Sequence, residues 1–441
     1  MEQKYRQLSL SNLALTIGVI LYALLFYYYG RENLYFGFAV VLGLISFPFL
    51  IQRTEGKLEY GYLIAAMVFA IGAFCSGSFS LFYATFVFGL YFLLSLGLGR
   101  LNVLPLVLLF LISPLVSHVT SMFSFPIRLQ LSHWVSHVLS VAGIEIFSEG
   151  NLLILAGERF LVDQECVGLK MLITGLVITL VLLAYQERKY KYSTTAKQIF
   201  IVMTISFMFN ILANFSRILV LVLFKIGPDH PLHEIVGVFC LLLYNLTPLV
   251  FLVRFFKPKV MEQELELPRL QSYKSRIIWI PILILCLSLA GHALNRDDGL
   301  ISANVRSSIL DSLDKEELDN KVIKYSNEDL LVYIKPPVSP IRGTHDPKFC
   351  WRGSGYAPKL IKQTVFQGQA IYTGELVKGK DKLYTAWWYQ DGKSITNSEW
   401  TWRTKGIFDS KSYALINISA NSQNNLKQAI EDYFTELYGV E

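Results

Sequence analysis

Cys166 stands in Asp163-Gln164-Glu165-Cys166-Val167-Gly168-Leu169-Lys170, where a polar segment gives way to a long apolar run. A thiol at a helix start sits in the partial positive charge of that terminus, and Lys170 follows one turn later on the same face. Both favour the thiolate that makes cysteine a nucleophile. Glu165 opposes this in part. The plainer alternative makes Cys166 a small apolar residue of a membrane helix, the role expected of Cys75, Cys240 and Cys286.

Arg217, in Asn214-Phe215-Ser216-Arg217-Ile218, lies inside another apolar run. An arginine there costs several kcal/mol unless it meets a partner or reaches the interface, so it calls for a reason. Asn214, three residues earlier, shares its helical face and could orient it. His233 opens His233-Glu234-Ile235-Val236-Gly237 at the start of a third apolar run. A helix N-terminus disfavours imidazolium and leaves a neutral ring that can take a proton from a thiol. His230 and Asp229 are near enough in sequence to compete for that role. A nucleophile, a base and a fixed cation together are what acyl transfer at a cysteine needs.

These residues must be carried by membrane helices. With 53% of its 441 residues hydrophobic and only 17% charged, the chain is too apolar for an ordinary soluble protein. Its net charge of +6 does not mark a nucleic-acid partner, because the basic residues sit in short loops between apolar runs. Five cysteines without a CxxC pair or metal-ligand spacing indicate neither a disulfide framework nor a metal site, and no cofactor is expected. The first apolar run follows Lys4 and Arg6 without a cleavage signature and reads as a retained anchor.

A bilayer core of about 30 Å needs about 20 apolar residues of helix. That ruler places nine spans, at 10–29, 34–51, 62–80, 81–98, 101–118, 167–185, 199–224, 235–253 and 277–293. Alternating loops put Lys4, Arg6, Arg53, Lys57, Arg100, the cluster from Arg188 to Lys197 and the run from Arg254 to Arg276 on one side. The other side, up to the last span, has Arg31, Arg128, Arg159 and Lys225. The bias puts the N-terminus in the cytoplasm and Cys166, Arg217 and His233 at one depth on the outer side.

Two regions lie outside the expected spans on that side. Residues 120–164 begin with an amphipathic stretch around His133, Trp134 and His137 and lead into Cys166. From residue 294 to 441 the long apolar runs stop, and strand-like segments appear at 329–335, 383–390 and 411–418. Asp391-Gly392 signals a hairpin, and Leu426, Ile430, Phe434 and Leu437 recur at helical spacing. The expected fold is a polytopic α-helical membrane domain, residues 1–293, followed by an extracytoplasmic α+β domain, residues 294–441.

The segments Glu165 to Lys170, Asn214 to Ile218, and His233 with Gly237, in this order on successive spans, resemble the Cys, Arg and His signatures of the exosortase and archaeosortase family. The resemblance covers roughly residues 100–255; Val167 and Lys170 depart from the commoner family residues. It implies an enzyme of the bacterial inner membrane in which Cys166 is the nucleophile, His233 transfers protons and Arg217 holds the oxyanion or the substrate. Its substrates would be exported proteins ending in a short motif of the PEP-CTERM kind, one transmembrane helix and a basic tail. They would enter from the membrane lipid, with transfer to a surface polysaccharide or lipid acceptor. A second stretch, His345-Asp346-Pro347-Lys348-Phe349-Cys350 with the strand around Trp387 and Trp388, is similar to the exosortase-associated domain. His345 and Cys350 are candidates for a second site there. The competing functions are a membrane transporter and a non-catalytic protein of envelope or exopolysaccharide assembly. Against transport, the polar residues gather at outer helix ends rather than at broken helices of the midplane.

Overall fold

The structure is a computed structural model describing residues 2–31, 37–54, 59–162, 169–227, 230–255, 275–294, 308–318, 322–337, 347, 351, 355–409 and 412–438. It divides into two units, Met1–Ser121 with Gly168–Asp297, and Met122–Val167 with Asp298–Glu441. The stretch 122–167, expected in the membrane domain, belongs to the second unit.

The first unit is helical: α1 (Glu2–Gly30), α2 (Phe38–Leu50), α3 (Gly61–Ser76), α4 (Phe79–Leu98) and α5 (Leu104–Leu111), then α7 (Leu169–Tyr190), α8 (Ala196–Leu223), α9 (Leu232–Leu241), α10 (Thr247–Phe255) and α11 (Trp279–Leu294). Among the described residues, five stretches rather than nine are long and apolar enough to cross a bilayer: Leu13–Gly30, Phe79–Leu98, Met171–Tyr190, Ala196–Leu223 and Leu232–Arg254. Phe38–Leu50, Gly61–Ser76 and Trp279–Gly291 are shorter apolar helices. Local chemistry ends them. Gly77 closes α3 in the left-handed region, φ +60°, with its N–H on the Ala73 carbonyl at 2.7 Å. The run expected to span at 101–118 gives only α5 before the chain breaks at Ile112 and Ser113, since Pro114 disfavours helical backbone in the residue before it. Thr195 and Gln198 start α8 with a capping box.

A buried polar knot ties one end of this bundle. Glu187, 1% exposed, accepts hydrogen bonds from Asn102 Nδ2 at 2.9 Å and from the Thr194 N–H at 2.7 Å. Asn102 also donates to the Leu50 carbonyl and accepts from the Gln52 N–H. Three stretches far apart in sequence, Leu50 to Gln52, Asn102 and Glu187 to Thr194, thereby satisfy one another's polar groups, as burial in an apolar medium demands.

The second unit contains most of α6 (Pro114–Val141) and two sheets. Strands β1 (Ile146–Glu149), β2 (Leu152–Leu155) and β3 (Glu158–Leu161) form an antiparallel meander. The larger sheet has eight strands: β4 (Asp314–Glu317), β5 (Ile323–Ser326), β6 (Leu330–Lys335), β7 (Ala357–Phe366), β8 (Gln369–Lys378), β9 (Asp381–Asp391), β10 (Ser394–Thr396) and β11 (Ala414–Ala420). Its order is β4-β5-β6-β11-β9-β8-β7, with β10 hairpinned to β9. Three strands lie where alternation placed them, and β9 turns into β10 at Asp391 and Gly392, φ +56°.

Period-two geometry sends successive side chains of β9 to opposite faces. Ala386 and Trp388 join the core under α14 (Gln423–Tyr438), with Ile416, Ile430 and Phe434. Trp387 and Tyr389 join a second core with Trp351, Ile361 and Trp402, the last from α13 (Glu399–Phe408). Leu129 of α6 packs against that second core, and Phe123 lies 6.2 Å, ring to ring, from Trp400. The amphipathic reading of 120–140 is reproduced. Arg128, Leu131, Ser132, Val135 and Leu139 are buried, while His133, Trp134, His137 and Val138 are exposed.

Candidate functional site

Arg217 is 3% exposed although it sits inside α8, so its charge is held by the helix bundle. The reason it fits is Gly237 of α9. A Cβ there would lie 3.0 Å from Arg217 Nε and 3.2 Å from Cζ, so the bare backbone lets the guanidinium pack closely on α9 and an added methyl would push it back by a few tenths of an ångström. From that position Arg217 Nη1 points at Met171 Sδ, 3.6 Å away in the first turn of α7.

His233 lies in the first turn of α9, 4% exposed and one helical turn before Gly237. Residues four apart on a helix are neighbours on one face, with Cβ atoms about 5–6 Å apart. The imidazole therefore shares the α9 face on which the guanidinium rests. His230 does something else. It is exposed, and its Nδ1 accepts the Leu232 N–H at 3.2 Å, capping the helix start. Asn214 is 6% exposed one turn before Arg217 on α8, and its amide makes no hydrogen bond among the described residues.

Arg217 and Asn214 continue a polar seam that sequence reading missed. Ser206, Asn210, Asn214 and Arg217 recur every three or four residues along α8, all buried. Asn210 Nδ2 donates to the Ser206 carbonyl at 2.9 Å, and the hydroxyls of Ser206 and Thr179 are 2.7 Å apart. Opposite them, a Cβ on Gly175 of α7 would fall 2.7 Å from Asn210 Oδ1 and 2.9 Å from Asn245 Nδ2. Asn245 faces inward because the chain runs through a π-helical turn, Leu242–Leu246, between α9 and α10. The available signal was the four-residue recurrence of small polar residues in an otherwise apolar run. The polar residues thus reach into the spans as well as gathering at their ends.

Cys166 and Glu165 lie outside the described residues, as do Asp229, His345 and Cys350. Lys170 is placed by its backbone in the first turn of α7. Cys240, one turn beyond Gly237 on α9, is a buried thiol. Among the described residues no group of His, Cys, Asp and Glu could hold a metal ion.

The described part of the site is thus a buried arginine and asparagine of α8 and a buried histidine of α9, set in a helical unit with apolar helices long enough to cross a membrane. Residues 36–250, just under half of the chain, match the family of transmembrane exosortases, which supports a place in that family. No curated protein and no solved structure matches the chain.

Proposed function

We propose that the protein is a membrane cysteine protease or transpeptidase that cuts the C-terminal sorting signals of exported proteins. The observation that carries this reading is the seating of Arg217 on Gly237, one turn from His233, with its guanidinium against the first turn of the helix that Cys166 precedes. The match of residues 36–250 to the transmembrane exosortases supports the same chemistry.

In the proposed reaction His233 takes the proton of the Cys166 thiol, and Sγ attacks the scissile carbonyl. Arg217 stabilises the oxyanion, with Asn214 beside it as a donor. The C–N bond breaks, the imidazolium returns its proton to the departing amine, and an acyl thioester remains on Cys166. An amine or hydroxyl of a surface acceptor, or water, then attacks the thioester and frees the thiol. Lys170 supports the thiolate electrostatically, while His230 acts as a cap rather than a base. The basic-residue bias supports a cytoplasmic N-terminus and an outward-facing site in the bacterial inner membrane, with the second unit in the periplasm. The substrate helix enters from the lipid. We assign the second unit to the exosortase-associated kind on the residues around His345, Cys350 and Trp388.

The test is replacement of Cys166 by Ala in the native host, with Cys240→Ala beside it. Exported proteins ending in an apolar helix and a basic tail should keep their full mass and stay in the membrane in the first strain and be trimmed normally in the second. Normal trimming in Cys166→Ala contradicts the reading.

A further inference from the structure

One cavity of the helical unit plays no part in the thiol chemistry. It has a volume of about 680 Å³ and lies between the last turns of α7 and α10. Its lining changes character along the helices. Leu182 and Val250, set back from the helix ends, and the buried Val253 make the inner part apolar. Gln186, Lys189 and Arg254 bring hydrogen-bond donors to its mouth. The two helices belong to the membrane-length stretches Met171–Tyr190 and Leu232–Arg254, so Lys189 and Arg254 stand where those stretches end. Tyr185 and Tyr190 lie at the same level, the usual place of tyrosines at a membrane surface.

The two cations are not consumed by the fold. Both are exposed, and among the described residues neither has a carboxylate partner. The Lys189 ammonium lies 5.8 and 5.5 Å from the ring centres of Tyr185 and Tyr190, and the Arg254 guanidinium 5.8 Å from that of Phe251. Arg188 is the contrast: its Nε and Nη2 donate to the Phe49 and Ile51 carbonyls at 3.0 and 3.2 Å, which makes it part of the frame. Glu187, the nearest carboxylate in sequence, is committed to Asn102 and Thr194. The plainer account has Lys189 and Arg254 balancing the helix C-termini, each of which carries about half a negative charge. Two full charges exceed what two such termini present, which leaves about one positive charge over the cavity. A cationic peptide tail would be repelled there, and an anion with an apolar extension would fit.

We propose that this cavity binds an anionic phospholipid, with the phosphate held by Lys189, Arg254 and the Gln186 amide and an acyl chain laid along Leu182 and Val250. The lipid ties α7 to α10 where no ion pair does. The inference is independent of the thiol chemistry, since it needs neither Cys166 nor a substrate. On the topology proposed above, the site faces the cytoplasmic leaflet.

The experiment is native mass spectrometry of the purified, delipidated full-length protein in detergent, titrated with dioleoyl phosphatidylglycerol or dioleoyl phosphatidylcholine. The first phosphatidylglycerol should bind at least about 10-fold more tightly than phosphatidylcholine, each basic side chain near a lipid phosphate contributing about fivefold. Lys189→Gln with Arg254→Gln should bring the two lipids within about twofold of each other, and Lys197→Gln, an exposed lysine outside the cavity, should leave the preference intact. Preference retained in the double variant, or lost equally in Lys197→Gln, overturns the proposal. Inorganic phosphate at the same concentration as the lipid should not displace it; displacement makes this a site for soluble phosphate and overturns the lipid assignment. Should the double variant fail to accumulate, the single variants decide. Each should weaken phosphatidylglycerol binding several-fold, and unchanged binding in both overturns the proposal.

Discussion

At the scale of single residues, the account turns on how a charge is tolerated inside an apolar helix. Arg217 is accommodated because α9 offers bare backbone at Gly237, and this makes a sharp prediction. Gly237→Ala should improve helix propensity by about 1 kcal/mol while forcing a buried guanidinium to move. Trimming should fall about 10-fold or more with no loss of thermal stability in detergent, a split that a purely structural glycine would not give. Arg217, Asn214 and His233 were legible in the sequence because polar residues stand out against an apolar run. Gly237 was legible only as part of a motif, since the space that a missing Cβ leaves depends on the neighbouring helix. Asn210 and Thr179 were missed because a single amide or hydroxyl in a membrane helix is readily satisfied by its own backbone, as Asn210 is by the Ser206 carbonyl at 2.9 Å and Thr179 by the Gly175 carbonyl at 2.8 Å.

At the scale of elements, the polar knot around Glu187 holds the ends of α2 and α7 and the turn before α8. Glu187→Ala leaves one of the two Asn102 Nδ2 hydrogens, the other staying on the Leu50 carbonyl, and the Thr194 N–H without their acceptor in a buried setting. The expected cost is about 1–3 kcal/mol for each orphaned donor, read as a lowered unfolding midpoint of the purified protein. An unchanged midpoint would show that the knot is dispensable. Element types were largely readable: the long helices by hydropathy, β6, β9 and β11 by alternation, and α14 by its helical spacing. Lengths were less so. A window of apolar residues does not register Pro114 or Gly77, whose backbone chemistry ends a helix without altering hydropathy.

At the scale of the whole molecule, two units are interleaved in sequence, and that was not legible. Residues 122–167 read as part of the membrane domain because they lie between apolar runs, yet Asn151 finds its partners 210 positions away at Ile361. Such non-local pairing leaves no periodic signature in either segment. The proposed topology is open to direct measurement: reporter fusions after Arg188 and after Asn295 should be active on opposite sides of the membrane, and activity of both on one side would undo the outward placement of the site.

The most direct test is chemical capture of the acyl enzyme. Protein isolated from the native host while processing substrate should carry, on the peptide containing Cys166, an adduct with the mass of a trimmed protein's new C-terminus. Hydroxylamine should release it, and the Cys166→Ala variant should lack it. Continued trimming with no adduct at Cys166, or with the adduct on Cys240, would contradict the account.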